Sequence, residues 1–281
     1  MNRQFRGILK KIKGIATSDG AGVRLTRVIG SPSMPILDPF LMLDEFGSEK
    51  PGDYIGGFPS HPHRGFETVT YMLDGRMRHK DNGGNEGLLT PGSVQWMTAG
   101  RGIVHSEMPE QEQGLMRGFQ LWINLPANEK MTAPKYQEFS AEQIPLITLA
   151  NGARIKVIAG EVGDVTGPVS QPATQPIYLD VLLGAGLSFE HGLPTGHNAF
   201  VYVYEGELNL LVNDERYPIQ TSELVSLTAG DAVRFEASSE SHFIFVAGKP
   251  LNEPVARYGP FVMNTQAEIQ QAIVDFQAGR F

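Results

Sequence analysis

The strongest constraint on the fold is a strand-and-turn pattern that occurs twice in the chain. Residues 67–73 alternate between apolar and polar side chains and run into Asp74-Gly75, and a second strand is predicted from Arg76 to His79. Such alternation is typical of strands with one face in a core, and Asp-Gly between two such runs predicts a hairpin. The same pattern recurs at residues 200–211, with Gly206 at the turn.

A second pair of matching segments lies downstream of these turns. Residues 89–92 (Leu-Thr-Pro-Gly) lead to His105, and residues 227–230 (Leu-Thr-Ala-Gly) lead to His242 at nearly the same distance. Self-similarity of this kind indicates an internal duplication. The segment between the halves, residues 127–145, is weakly periodic and contains prolines, which is typical of a linker. We therefore predict two domains, residues 1–140 and 141–281.

The composition favours an all-β architecture for both domains. The 281 residues include 32 glycines and 19 prolines, which is typical of many short strands joined by turns. Two such repeats predict two small β-barrels or jelly rolls packed together. One helix is expected at the end of the chain, because Thr265 and Glu268 form a capping-box pattern. Four apolar residues then follow at helical spacing: Ile269, Ala272, Ile273 and Phe276.

Composition also excludes several classes of function. The chain contains no cysteine, so disulfides, thiolate metal sites and cysteine nucleophiles are excluded. A formal net charge of −8 opposes binding to a nucleic-acid backbone, despite a small basic cluster at Lys10, Lys11 and Lys13. The chain has neither a long apolar stretch nor the pattern of a signal peptide. We expect a cytoplasmic monomer that contacts neither nucleic acid nor a membrane directly.

Two short runs carry potential metal ligands. His61-Pro62-His63 and His105-Ser106-Glu107 each place two donors at positions i and i+2, which share one face of an extended strand. Each run alone is compatible with surface residues beside a turn. Side by side in a sheet, the two runs would form a cluster of three histidines and one carboxylate, which suits a first-row transition metal with open coordination positions.

The segments around these runs resemble one known family. FPSHPHRGFETVTYMLDG at residues 58–75 resembles the first cupin motif, and PGSVQWMTAGRGIVHSEMP at residues 91–109 resembles the second motif in the form found in pirins. LDPFLMLDEF at residues 37–46 and EPVARYGPFVMNT at residues 253–265 are also similar to pirins. The resemblance covers most of the chain and implies a bicupin, two cupin barrels in one chain.

The resemblance also implies a ligand set and a cofactor. In pirins the N-terminal barrel binds iron, and the ligands would fall on His61, His63, His105 and Glu107. Iron(II) is therefore the metal we expect, although the same donor types also accept manganese, cobalt, nickel, copper and zinc. The common cupin pattern would make Glu67 a ligand, whereas the pirin pattern takes its carboxylate from Glu107. We therefore expect Glu67 to line the pocket or to hydrogen-bond to a ligand histidine.

Other residues near the two runs allow more than one interpretation. Arg64 and Arg101 flank the runs and would either bind an anion near the metal or form structural salt bridges. Four large side chains would line an aromatic pocket or, as we favour, fill the barrel core: Trp96, Met97, Phe119 and Trp122. His79 is expected to face solvent.

The second barrel is predicted to lack a metal. His191 and His197 lie close together in sequence, but neither has a second donor at position i+2, and His242 is followed by Phe243 and Ile244. The paired spacing of the first barrel is therefore missing from the second.

Two functions follow from the resemblance. The first is a quercetinase, a metal-dependent dioxygenase that opens the central ring of a flavonol with O₂. Glu107 would accept the proton of the substrate hydroxyl, with Glu67 as the other candidate. The second is a non-enzymatic, redox-sensing regulator that binds a partner protein, since pirins are also known as transcriptional co-regulators. A cupin isomerase or sugar-binding protein is a third interpretation, which would require a less aromatic pocket.

Overall fold

The chain folds into two compact units built mainly of strands. The computed structural model describes residues 3–213 and 215–281. One unit, called the N-terminal unit, contains Ile15–Glu142 and Leu251–Phe281. The other, called the C-terminal unit, contains residues 3–14 and Gln143–Pro250.

The elements are numbered in chain order. The strands of the first half are β1 (Ile8–Lys13), β2 (Ile15–Asp19), β3 (Val23–Ile29), β4 (Phe40–Ser48), β5 (Phe58–His63), β6 (Phe66–Asp74), β7 (Met77–Asp81), β8 (Glu86–Leu89), β9 (Val94–Thr98), β10 (Ile103–Pro109), β11 (Met116–Asn124) and β12 (Lys135–Phe139). Those of the second half are β13 (Leu146–Thr148), β14 (Arg154–Ala159), β15 (Glu161–Val162), β16 (Val165–Thr166), β17 (Ile177–Leu183), β18 (Ser188–Gly192), β19 (Asn198–Glu205), β20 (Glu207–Val212), β21 (Glu215–Gln220), β22 (Glu223–Leu227), β23 (Ala232–Ala237), β24 (Ser241–Gly248), β25 (Ala256–Tyr258) and β26 (Phe261–Met263). The helix α1 spans Gln266–Gln277, and two single-turn 3-10 helices span Pro51–Asp53 and Ala141–Gln143.

Each unit contains a seven-stranded and a four-stranded antiparallel sheet. In the N-terminal unit the strand orders are β12-β9-β6-β11-β4-β3-β2 and β5-β10-β7-β8. In the C-terminal unit they are β1-β22-β19-β24-β17-β14-β13 and β18-β23-β20-β21. The two orders match strand by strand, which confirms the predicted duplication. Two short pairs, β15-β16 and β25-β26, complete the strands.

The two repeated turns do not form hairpins, contrary to the sequence prediction. The strands joined by Asp74-Gly75 are β6, in the seven-stranded sheet, and β7, in the four-stranded sheet, and they do not pair with each other. The turn at Gly206 connects β19 to β20 in the same way. Gly75 and Gly206 have φ of 83° and 77°, a conformation that favours glycine, so each turn redirects the chain from one sheet to the other.

The interior of the N-terminal unit contains polar as well as apolar side chains. Residues 66–72 of β6 are all buried, so Glu67 and Thr70 lie inside the unit beside apolar neighbours. Buried polar groups need hydrogen-bond partners or a ligand. This interior is therefore where a functional site is expected. The C-terminal unit instead has one large continuous apolar core.

Both ends of the chain belong to a different unit from the one predicted. β1 pairs with β22 of the C-terminal unit and takes the outer position that β12 takes in the N-terminal unit. Residues 251–281, including α1, belong to the N-terminal unit, where Val262 packs in a cluster with Phe66 and Trp122. Strand pairing places β1 in the C-terminal unit, and packing places residues 251–281 in the N-terminal unit, so neither end follows the predicted division at residue 140.

The C-terminal helix forms with the predicted cap. The Thr265 side chain accepts a hydrogen bond from the Glu268 backbone N–H, and the Glu268 carboxylate accepts one from the Thr265 N–H. Ile269 and Ala272 are buried, whereas Phe276 is partly exposed. Among the described residues, no helix is long and apolar enough to cross a membrane.

Candidate metal centre

Two neighbouring strands bring three histidines together. β5 and β10 pair antiparallel with His61 opposite His105, and His63 lies two residues further along β5 on the same face. The ring centroids of His105 lie 4.5 Å from those of His61 and 5.0 Å from those of His63. In the described part of the chain, these are the one group of potential metal donors whose ligand atoms all lie within 4.8 Å of one another.

Ring nitrogens of two of these histidines converge. His61 Nδ1 lies 2.8 Å from the Pro59 carbonyl, which can only accept, so His61 donates from Nδ1. In the neutral ring Nε2 then carries the lone pair. His61 Nε2 lies 2.9 Å from His63 Nε2, so both atoms face the same small volume. A metal ion is a natural occupant of a volume onto which imidazole nitrogens converge.

His105 supplies the strongest indication that a ligand belongs here. It is 1% exposed, and neither of its ring nitrogens has a hydrogen-bond partner among the residues that the structure describes. A buried polar atom without a partner costs free energy, and such atoms are rare in native proteins. A metal bound to one nitrogen would remove much of this cost, so the residues present fit a metal.

Burial also keeps these histidines neutral, as metal ligation requires. Loss of solvent lowers the pKa of His105 to about 4. Loss of solvent, followed by the proximity of His105 and His61, holds the pKa of His63 well below its ordinary value. Metal binding therefore needs no proton to be displaced from these two rings near neutral pH.

Glu107 lies on the same strand as His105 but already has two polar neighbours. It is 2% exposed, and its carboxylate oxygens accept hydrogen bonds from Thr70 Oγ1 at 2.9 Å and Gln120 Nε2 at 3.0 Å. The register of β10 against β5 shifts between His105 and Glu107. The carboxylate is outside the group within 4.8 Å, yet each oxygen has a lone pair left for a further partner.

Glu67 lies on β6, in the other sheet, and takes part in a different set of contacts. It is fully buried and accepts hydrogen bonds from Trp96 Nε1 at 2.8 Å and Thr98 Oγ1 at 2.6 Å. Both donors come from the neighbouring strand β9. The structure therefore places Glu67 in the wall of the barrel rather than in the histidine group.

The two flanking arginines have structural contacts. Arg64 is 3% exposed, donates to Asp275 Oδ2 at 2.7 Å and to the Arg101 carbonyl at 2.5 Å, and covers the ring of Phe281. These contacts tie β5 to the end of α1. The predicted alternative of a structural salt bridge therefore applies to Arg64, whereas the side chain of Arg101 is exposed.

A cavity of about 360 Å³ adjoins the histidines. Of the four aromatic and sulfur-containing candidates, Trp122 lines it, whereas Trp96, Met97 and Phe119 are fully buried in the core. Most of the other lining residues do not belong to the site expected from the sequence, and they include Arg27, Asp44, Phe46, Phe58, Gln120 and Arg257. Their sequence signal is their position inside a pirin-like segment, as for Asp44, Phe58 and Arg257, or on a strand beside the site.

The expectation that His79 faces solvent is wrong. His79 is 3% exposed, and its Nε2 lies 2.6 Å from Glu138 Oε2. Glu138 is on β12, which is 59 residues away in sequence, so the partner could not be found from the local pattern. The contact between His79 and Glu138 is structural, and His79 lies on β7, which pairs with the strand that carries His105.

In the C-terminal unit the corresponding strands carry different side chains. β18 and β23 occupy the places of β5 and β10, and their inward residues include Phe189, His191, Val233 and Phe235. Apart from His191, these inward side chains are apolar. His191 and His197 are both buried and line a separate cavity of about 880 Å³.

Comparison with known protein families gives two matches. A family described as Pirin matches residues 22–123, and one described as Pirin C-terminal cupin domain matches residues 178–281. A "Pirin-like protein" of Caulobacter vibrioides is 53% identical over 277 residues, covering 98% of this chain and 99% of that protein. A Pseudomonas aeruginosa protein named "Putative quercetin 2,3-dioxygenase" is 51% identical over 281 residues, covering 98% of each.

A solved structure is similar over nearly the whole length. The crystal structure of a quercetin 2,3-dioxygenase from Acinetobacter baumannii matches with a TM-score of 0.91 at 36% identity, covering 99% of this chain and 98% of that one. Together with the matched C-terminal domain, this similarity confirms the predicted fold of two cupin domains with a C-terminal helix.

Proposed function

This chain belongs to the pirin family of cupin proteins, and from that premise we propose that it is a metal-dependent dioxygenase that opens the central ring of a flavonol. The observation that carries the proposal is the group of three histidines, with His105 buried and unpartnered, beside a cavity with aromatic walls. The names of the Pseudomonas and Acinetobacter relatives support the choice of quercetin as the first substrate to test.

In this proposal the metal is iron(II), held by His61, His63, His105 and Glu107. A bound divalent metal supplies a Lewis acid that favours deprotonation of a substrate hydroxyl, and two positions remain open in an octahedral ligand set. The imidazoles already converge. Glu107 would complete the set with the lone pairs that its hydrogen bonds leave available.

Glu107 is also the residue that we assign to proton transfer. Its carboxylate would accept the proton of the flavonol 3-hydroxyl at Oε1 or Oε2. Thr70 and Gln120 donate to the two oxygens and fix the plane of the carboxylate. Glu67 is the less suitable base, because its oxygens are engaged by Trp96 and Thr98 in the barrel wall.

The cavity would bind the substrate and exclude water. Its volume falls within the range of small-molecule sites, which is roughly 300–1,000 Å³. Phe46, Phe58 and Trp122 contribute apolar side chains to the lining, although the guanidinium of Arg257 covers the Trp122 ring. Such side chains suit the aromatic rings of a flavonol.

The experiment that tests the proposal is an oxygen-electrode assay with quercetin. We expect anaerobically purified, iron-loaded protein to consume one O₂ per flavonol opened, and chelator-treated protein to consume none until iron is restored. Metal-replete protein that binds quercetin without consuming O₂ would contradict the proposal. That outcome would favour the alternative of a redox-sensing protein that acts through a partner.

A further inference from the structure

The cavity beside the histidines contains two arginines, of which Arg27 forms salt bridges with the aspartates of the cavity and Arg257 does not. Arg27 and Asp44 are cross-strand partners on β3 and β4, and two guanidinium nitrogens bond the carboxylate at 2.9 and 2.7 Å. Asp19 adds a third contact to Arg27 at 2.9 Å. Both carboxylates of the cavity wall are therefore hydrogen-bonded to Arg27, although both also attract Arg257 through space.

Arg257 forms no hydrogen bond to a carboxylate among the residues that the structure describes. Within the ranges that the structure describes, its polar contact is Nη1 to the Leu41 carbonyl at 3.5 Å, the outer limit of a hydrogen bond, and it forms no salt bridge. Its guanidinium instead lies over the ring of Trp122, 4.9 Å from the ring centroid. A cation–π contact positions a guanidinium but leaves its N–H donors available.

Trp122 provides a fixed support for this arginine. The indole is 8% exposed and packs against Phe66, with ring centroids 4.3 Å apart, and against His63, with centroids 5.2 Å apart. Its Nε1 donates to Gln120 Oε1 at 3.3 Å. The guanidinium of Arg257 is therefore held one aromatic ring away from a histidine of the proposed metal site.

We propose that Arg257 selects aromatic substrates that carry an anionic oxygen, such as a carboxylate or an ionised phenol, in addition to the hydroxyl that would bind the metal. The inference rests on the proposed function and names the substrate class of the same site. A guanidinium pairs with an oxyanion through two parallel hydrogen bonds. In this cavity, Arg257 is the arginine whose N–H groups form no hydrogen bond to a carboxylate. The substrate ring would lie in the cavity between the histidines and Arg257.

The test compares two probes that differ by one charge, 3-hydroxyflavone and 4′-carboxy-3-hydroxyflavone. Dissociation constants are measured from the quenching of tryptophan fluorescence, with metal-free and iron-loaded protein, in wild type, Arg257→Met and Arg257→Lys. Arg24→Met is the matched control, because Arg24 pairs with Asp53, is largely exposed and lies outside the cavity.

We expect wild type to bind the carboxylate about threefold more tightly than the neutral flavonol, because Arg257 is exposed to solvent and an ion pair formed there contributes little. Arg257→Met should remove this preference, Arg257→Lys should keep part of it, and Arg24→Met should keep all of it. In turnover, Arg257→Met should raise KM for the carboxylate and leave kcat within about twofold, as expected for the loss of uniform binding.

Two results would overturn the inference: equal affinity of wild type for both probes, or a preference that survives in Arg257→Met. The second would show that the arginine only covers Trp122. Failure of the proposed function is seen separately, as absence of O₂ consumption by iron-loaded wild type whatever the binding preference. Failure of wild type to bind either probe would overturn both.

Discussion

At the scale of single residues, His105 gives the strongest indication of a bound ligand. A buried imidazole with two unpartnered nitrogens has no structural reason to be polar, and a leucine would fill the same place at less cost. Its neighbours His61 and His63 present further nitrogens to the same volume. The site is therefore built for a ligand that accepts lone pairs.

Replacement of His63 and His105 together by alanine should abolish stoichiometric metal binding, because one imidazole and one carboxylate would remain of the proposed set. Metal content is measured by elemental analysis after anaerobic purification. The matched double variant in the C-terminal unit, His197→Ala with His242→Ala, should keep one metal per chain. Full occupancy in the first variant, or loss of metal in the second, would show that the ligands have been assigned to the wrong residues.

Glu107→Gln should lower kcat with quercetin by about 10²–10⁴-fold, the usual contribution of a single acid–base group. The amide keeps the size of the side chain but removes the negative charge and the proton acceptor. Turnover is measured per bound metal, since loss of metal alone would give the same decrease. Glu110→Gln, just beyond the same strand, is the control and should be unchanged, because Glu110 pairs with Arg78 at the surface.

The histidines could be predicted from sequence, and the rest of the cavity could not. Spacing of i and i+2 on a strand fixes which side chains share a face, and that relation is local. The pairing of Arg27 with Asp44 and the contact of Arg257 with Trp122 depend on strand register and on the position of the C-terminal segment. The burial of His79 is unpredictable for the same reason, since its partner Glu138 lies on a strand that is distant in sequence.

Among the elements, α1 is the one whose boundaries follow most simply from its sequence. Thr265→Ala should destabilise the N-terminal unit by about 1 kcal/mol, the usual cost of losing an N-cap, and Thr265→Ser should retain most of the stability. The tryptophans Trp96 and Trp122 both lie in this unit, so their fluorescence during denaturant unfolding reports its stability. An alanine variant as stable as wild type would mean that packing alone defines the helix start.

The strands show where sequence patterns mislead. Asp74-Gly75 has the composition of a hairpin turn, and the local conformation at Gly75 is indeed left-handed. The flanking strands nevertheless pair with β11 and β10 in two different sheets. Turn residues determine the local backbone, whereas strand partners are chosen by register and burial over long sequence distances.

For the molecule as a whole, the duplication was predictable and the assignment of the chain ends was not. The repeated turn and the repeated Leu-Thr-Pro/Ala-Gly segment reveal two copies of one fold. β1 pairs with β22 across more than 200 residues of sequence, and residues 251–281 join the N-terminal unit through contacts such as that of Val262 with Phe66. Such partners leave no mark in local periodicity.

The stability of metal-free protein should fall as the pH is lowered from 7 to 5. His191 is 9% exposed, and loss of solvent, followed by the nearby Arg3 charge, lowers its pKa to about 4. The unfolded chain takes up this proton near pH 6.5 and the folded one does not, so folding is penalised by about 2 kcal/mol at pH 5. Denaturant unfolding followed by far-ultraviolet circular dichroism should show a smaller decrease in His191→Leu. An equal decrease in both proteins would contradict this origin.

The decisive measurement for the whole molecule is a single-turnover reaction of iron-loaded protein with quercetin under ¹⁸O₂, followed by mass spectrometry of the ring-opened product. A dioxygenase should place both atoms of one labelled O₂ in the product, and the variant with His63→Ala and His105→Ala should form no product. Unlabelled product formed with oxygen from water, or no product from metal-replete wild type, would contradict the assignment of dioxygenase activity to this site.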